Sequence, residues 1–121
     1  MGTALVIDDS STERSIITEI CKSLGINVTT AVSGEEALEK LAQSIPDVIV
    51  LDIVLPGRSG FEICRELKDR EQTKQIPIIL CSTKATDMDK FWGKRQGADA
   101  YITKPIDQAE FTATLKQFLT V

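Results

Sequence analysis

The ten residues VIVLDIVLPG, 48–57, decide how the rest of the chain is read. Four apolar β-formers in a row, with no polar alternation, describe a strand covered on both faces, as in parallel sheets layered between helices. The run ends on a single carboxylate, Asp52, and Pro56-Gly57 then reads as a turn of its own. An acid just past the carboxyl end of such a strand stands where open parallel sheets bind their ligands.

Working outward, short strand-like runs recur at Ala4 to Ile7, Asn27 to Ala31, Ile78 to Cys81 and Ala100 to Thr103, separated by longer stretches of helical period. That alternation is the signature of βαβ units. The predicted fold is α/β: a single domain over 1–121, a (βα)5 doubly wound parallel sheet, flavodoxin-like, with the weak second strand at an edge. Helix starts are marked by Ser10 with Glu13, Ser33 with Glu36, Ser59 with Glu62 and Asp107 with Glu110, and by Thr86 or Asp87 for the fourth helix. Gly25 and Gly97 are expected in left-handed conformations after helices one and four. Spacing turns Ile16, Ile20 and Leu24 of helix one inward, with Ala37, Leu38, Leu41 and Ile45 of helix two and Phe111, Leu115 and Phe118 of helix five. Phe91 is expected to face the core and Trp92 to be partly exposed.

A chain of 121 residues with 42% hydrophobic side chains fits one compact core. No window reaches the roughly 18 apolar residues of a membrane span, and no signal-peptide core precedes the first acids, so a cytoplasmic protein without membrane insertion is expected. The net charge of −4 argues against a nucleic-acid partner. Cys21, Cys64 and Cys81 are odd in number and lie in apolar surroundings, which fits buried thiols. With no histidine in the chain, Ser-His and Cys-His triads and most zinc sites are excluded, and phosphohistidine chemistry would have to come from a partner.

The polar residues that interrupt the pattern gather at the carboxyl ends of the strands: Asp8 and Asp9, Asp52, Ser82 and Lys104. If the strand order is 2-1-3-4-5, strands one and three are neighbours and the three acids converge. Carboxylates about 4 Å apart repel by roughly 4 kcal/mol per pair at an effective dielectric near 20. Mg²⁺ (or Mn²⁺) offsets that repulsion and keeps open positions for phosphate oxygens. Asp52 then becomes a plausible nucleophile for a phosphoryl group, with Lys104 as a point charge and the Ser82 hydroxyl as a donor. The Lys104-Pro105 bond invites a cis peptide that could aim Lys104 inward.

The set formed by DD after strand one, D followed by xxxPG after strand three, S after strand four and KP after strand five resembles the receiver domain of two-component response regulators. The likeness covers essentially the whole chain, and the 2-1-3-4-5 order of CheY-like proteins is carried over from it. It implies that Asp52 is the phosphoacceptor, that Asp8, Asp9, Asp52 and the backbone carbonyl of Val54 hold the metal, and that Lys104, Ser82 and the amide of Thr83 contact the phosphoryl group. Tyr101 would be the switch aromatic of a surface built from helix four, strand five and helix five. The implied partners are a histidine kinase and a downstream protein, reached by a monomer with no output domain. The stretch IILCSTKATDMDKFWGKRQGADAYITKP further resembles PilH-type regulators of type IV pilus twitching motility and phototaxis. Ser82 in place of threonine, apolar Val54 and basic Lys84 depart from the commoner pattern, and the last two, which flank the path of the attacking water, bear on the lifetime of the phosphoryl group.

Plainer readings exist for each residue alone. Asp8-Asp9 could favour a helix dipole, Asp52 could be a turn residue, Ser82 a backbone cap, Lys104 a surface cation and Tyr101 or Trp92 simple packing. Their joint placement favours the site. An aspartyl-phosphate phosphatase would resemble D-x-D, whereas Ile53 and Val54 follow Asp52, and a flavin phosphate would be repelled by Asp8-Asp9. A phosphate sink, or a receiver-like module that binds without phosphorylation, remains as an alternative.

Overall fold

The computed structural model describes residues 2–119. Its elements alternate strictly: β1 (Thr3–Ile7), α1 (Ser11–Ser23), β2 (Asn27–Ala31), α2 (Gly34–Gln43), β3 (Val48–Leu51), α3 (Gly60–Asp69), β4 (Ile78–Ser82), α4 (Asp87–Arg95), β5 (Ala100–Thr103) and α5 (Gln108–Phe118). The five strands form one parallel sheet in the order β2-β1-β3-β4-β5, so the doubly wound fold and the edge position of β2 are both observed.

Residue alternation along the strands divides the core in two. Leu5, Ile7, Ile49, Leu51, Ile78 and Leu80 face α2 and α3 through Ala37, Leu41, Ile63 and Leu67. Ala4, Val6, Val48, Val50, Ile79 and Cys81 face α1 and α5 through Ile17, Ile20, Phe111 and Leu115. Burial of both faces explains why the central strands carry no polar side chain until their ends. The three cysteines are free and buried, and desolvation pushes the thiol of Cys21 up to about 11 and those of Cys64 and Cys81 up to about 12.

Each expected helix start is capped by its side chain: Ser10, Ser33, Ser59, Thr86 and Asp107 all accept backbone N–H groups of the first turn. The reciprocal box closes at Ser59 with Glu62 and at Thr86 with Asp89, whereas Glu36 turns back to accept the Val32 amide. Gly25 and Gly97 have φ of 78° and 99°, as a left-handed helix end requires.

Three inward assignments are corrected. Ile16 is 42% exposed and Ile17 is buried instead; the true inward set of α1 is Ile17, Ile20 and Cys21, with Leu24 only partly buried. Ile45 is exposed because α2 stops at Gln43, and the residue before Pro46 is disfavoured in helical geometry. Phe91 is 55% exposed because Gly93, two residues on and about 200° around the helix, is the residue of α4 that faces inward. Trp92 is half exposed, and Leu38 and Phe118 are partly buried.

Candidate functional site

The site begins with register. Ile7 pairs with Leu51 across β1 and β3, so the residues that follow, Asp8 and Asp52, leave the sheet side by side. The ladder continues one step beyond the strands: the Asp8 amide donates to the Ala31 carbonyl (3.0 Å) and the Asp52 amide to the Ile7 carbonyl (2.9 Å). One carboxylate oxygen from each of Asp8, Asp9 and Asp52 lies within 4.8 Å of the others. Asp8 and Asp52 are buried at 1% and 7% exposure, while Asp9 is open to solvent.

Local hydrogen bonds fix both buried acids. Asp8 Oδ1 accepts the Ser10 amide at 2.9 Å, and the Arg14 guanidinium on the first turn of α1 donates to the Asp8 carbonyl at 2.8 Å. Asp52 Oδ1 accepts the Val54 amide at 3.2 Å, which curls the 52–54 backbone around the carboxylate. The side chain of Val54 itself is 52% exposed.

Lys104 closes the cluster from the far side of the sheet. Its amide donates to the Ser82 carbonyl at 3.0 Å, extending the β4–β5 ladder, and its peptide bond to Pro105 is cis. From there Nζ stands 2.6 Å from Asp8 Oδ2 and 3.1 Å from Asp52 Oδ2, with the side chain 6% exposed. Burial works against the ammonium and is the largest single influence, yet the bonds to Asp8 and Asp52 together hold its pKa above the ordinary lysine value.

The remaining predicted residues form a second tier. Ser82 is fully buried, and its hydroxyl accepts the Lys84 amide at 3.3 Å instead of meeting an acid. Thr83 follows it on the exposed loop to α4. The Tyr101 hydroxyl donates to the Lys84 carbonyl, so the aromatic is tied to the same loop without touching the acids. Burial, followed by the negative charge of Asp89 and Asp52, pushes its phenol up to about 12.

Two residues escaped the sequence reading. Arg14 carries no sequence signal for its role, because that role depends on the position of a backbone carbonyl that no side-chain pattern encodes. Gly60 opens α3 against the loop after β3: a Cβ there would lie 2.1 Å from the Asp52 carbonyl oxygen and 2.7 Å from Ile53 Cα. Its amide donates to the Ile53 carbonyl at 2.8 Å, so the start of α3 buttresses the backbone that carries Asp52. The visible signal was a glycine directly after the Ser59 cap, where most residues would serve.

Buried Asp8 and Asp52 facing one ammonium leave one formal negative charge in a buried space, and the exposed carboxylate of Asp9 adds a second beside it. Among the described residues this is the one cluster with metal-ligating potential, and its hard oxygen donors fit a hard divalent cation of the Mg²⁺ kind. Thiol and imidazole donors are absent from it, which disfavours zinc.

The model of the response regulator receiver domain matches residues 4–116. The chain belongs to the response regulator receiver domain family. This receiver is 40% identical over 119 residues to PilH of Pseudomonas aeruginosa, covering 98% of each chain. It spans about half the length of two transcriptional regulators that it also matches, AfsQ1 of Streptomyces coelicolor (38% identity) and PhoP of Bacillus subtilis (42%). Among solved structures, it superposes on the chemotaxis protein CheY4 of Vibrio cholerae with a TM-score of 0.91, at 32% identity, covering 98% of this chain and 99% of that one. It likewise superposes, with a TM-score of 0.88, on the receiver domain of a Pseudomonas aeruginosa sensor histidine kinase that has a magnesium ion coordinated in its active-site cleft. Identity there is 26%, with 97% of this chain and 96% of that one covered. The receiver has no helix, among its described residues, long and apolar enough to cross a membrane.

Proposed function

We propose that this receiver, acting as one domain over 1–121, accepts a phosphoryl group on Asp52 from a histidine kinase in a Mg²⁺-dependent (or Mn²⁺-dependent) reaction. The carrying observation is Lys104 Nζ lying between the buried Asp8 and Asp52 at 2.6 and 3.1 Å, with the exposed Asp9 carboxylate within 4.8 Å of the other two. Such a cluster is costly unless it serves to bind a cation and a phosphoryl group in turn.

Asp8, Asp9, Asp52 and the Val54 carbonyl would hold the metal. When bound, Mg²⁺ supplies positive charge that offsets the carboxylates and orients phosphoryl oxygens. An oxygen of Asp52 attacks the phosphorus of the kinase phosphohistidine; the O–P bond forms as the N–P bond breaks, and the electron pair leaves on the imidazole. The Lys104 ammonium pairs with the charge that accumulates on the phosphoryl oxygens. The Ser82 hydroxyl leaves the Lys84 amide to donate to one of those oxygens, and the Thr83 amide donates to another. Because Lys84 also accepts from Tyr101, movement of Ser82 reaches the α4, β5 and α5 surface. Differential contact in the two states is what shifts the population between them.

Likeness to PilH over nearly its full length supports a cytoplasmic regulator that controls pilus motility or taxis by protein contact, without nucleic acid or membrane insertion. Incubation with a small phosphodonor and Mg²⁺ tests the chemistry. The wild-type chain gains one phosphoryl mass, and Asp52→Asn gains none; equal gain by both would place the acceptor elsewhere. Phosphotransfer from a panel of purified histidine kinases then identifies the donor.

A further inference from the structure

A glycine in the interior of a helix is second only to proline in weakening it, and α4 carries one at position 93. Gly93 is the buried residue of that helix, and the space it leaves is already filled. A Cβ at Gly93 would stand 2.8 Å from Leu80 Cδ1 and 3.1 and 3.3 Å from Cδ2 and Cε2 of the Tyr101 ring. Leu80 and Tyr101 are register partners on β4 and β5, so the backbone of α4 rests directly on this pair. The same ring sends its hydroxyl to the Lys84 carbonyl, and the Lys84 amide reaches the buried Ser82 hydroxyl. On the outer side of α4, Met88, Phe91 and Trp92 are exposed.

We propose that Gly93 is the positioning residue for Tyr101: by lacking a side chain it seats the aromatic ring beneath α4, where the phenol reaches the loop that follows Ser82. A methyl group at this position meets the tip of Leu80 at 2.8 Å and the ring at 3.1 Å; on this proposal the ring gives way as well as the leucine, and its outward movement breaks the phenol–Lys84 bond. The glycine thus joins the Ser82 loop to the exposed apolar face of α4 through one ring. The use of this link in signalling rests on the phosphoacceptor reading of Asp52; the placement of the ring does not.

Tyr101 is the sole tyrosine of the chain, so its access to solvent can be read without assignment. Nitration by tetranitromethane, followed as mass gain, is slow for the partly buried ring of the wild-type protein and becomes several-fold faster in Gly93→Ala. Nitration at the wild-type rate overturns the proposal, whether the melting temperature rises because alanine simply improves the helix or falls because only Leu80 is displaced. If Gly93→Ala does not fold, Gly93→Ala combined with Tyr101→Ala removes the ring and restores folding; failure of that pair to fold is equally fatal. A wild-type chain that takes up no phosphoryl mass, alongside fast nitration of Gly93→Ala, would sink the switch reading and leave the seat of Tyr101 standing.

Discussion

The two ends of the sheet handle charge in opposite ways. At the amino end, Lys68 Nζ donates to Asp99 Oδ2 (2.8 Å), to the Ile76 carbonyl (2.9 Å) and to the Lys74 carbonyl (3.3 Å), and Asp99 Oδ2 also accepts the Ile78 amide. One cation meets one acid, and backbone groups complete both. At the carboxyl end, two buried acids, Asp8 and Asp52, share Lys104, and the exposed carboxylate of Asp9 stands beside them without a cation of its own among the described residues. A purely structural polar cluster is expected to be internally complete, because an uncompensated buried charge costs several kcal/mol. Incompleteness at one end only therefore marks that end as the place where something else binds, and the contrast is drawn within a single fold.

The contrast breaks first on the metal. A cation that binds only the folded chain stabilises it by about 2.7 kcal/mol at a hundredfold excess over its dissociation constant. Melting in Mg²⁺ and in EDTA should differ by that order for the wild-type chain, and the difference should vanish in Asp9→Asn. Because Asp9 is exposed, the variant should melt in EDTA within a degree or two of wild type. An Mg²⁺ effect that survives Asp9→Asn would show that the ion sits elsewhere.

The amino end should respond differently. Lys68→Met keeps the alkyl stem that lies against Gly97 but strips Asp99 of its cation and two carbonyls of a donor. The pair is partly exposed, at 17% and 35%, so the loss is discounted to about 2 kcal/mol in urea unfolding. Phosphoryl uptake by Asp52 should be unchanged. Loss of uptake with stability intact would erase the division of labour between the two ends.

How far the sequence carried depends on which physics placed each residue. The strands were legible because a doubly covered strand must be apolar throughout, and the acids were legible because they break that rule at its ends. Tyr101 and the kinase chemistry came only through resemblance. Helix faces were harder: Ile16 and Ile17 are adjacent and equally apolar, both keep a helical spacing to Ile20, and the buried Cys21, four residues after Ile17, was not used to choose between them. In α4 the inward position is a glycine, so no apolar stripe existed to read, and the aromatic Phe91 drew the assignment to the wrong side. Lys68 and Arg14 act on backbone carbonyls, and a carbonyl's position follows from tertiary packing, which residue type does not reveal.

The outer face of α3 supplies the third ratio and the smallest effect. There Glu66 is flanked by two cations, Arg58 and Arg70, and all three reach water, Arg70 most and Glu66 least. The bond from Arg58 is the main cause that holds the Glu66 carboxyl below its ordinary pKa, with Arg70 adding to it. A depressed carboxylate contributes stability that is complete above the unfolded-state value near 4.5 and is lost as pH falls through the lower folded-state value. Exposed pairs of this kind are worth about 0.5 kcal/mol and are screened by salt. Glu66→Gln should therefore lower stability slightly at pH 7, match wild type below the folded-state pKa, and converge with it in about 1 M salt, where the Debye length is only about 3 Å. If the variant instead lost as much as Lys68→Met, excess cation around an acid would be as strong a structural device as a completed pair, and the imbalance at the carboxyl end would no longer single out a binding site.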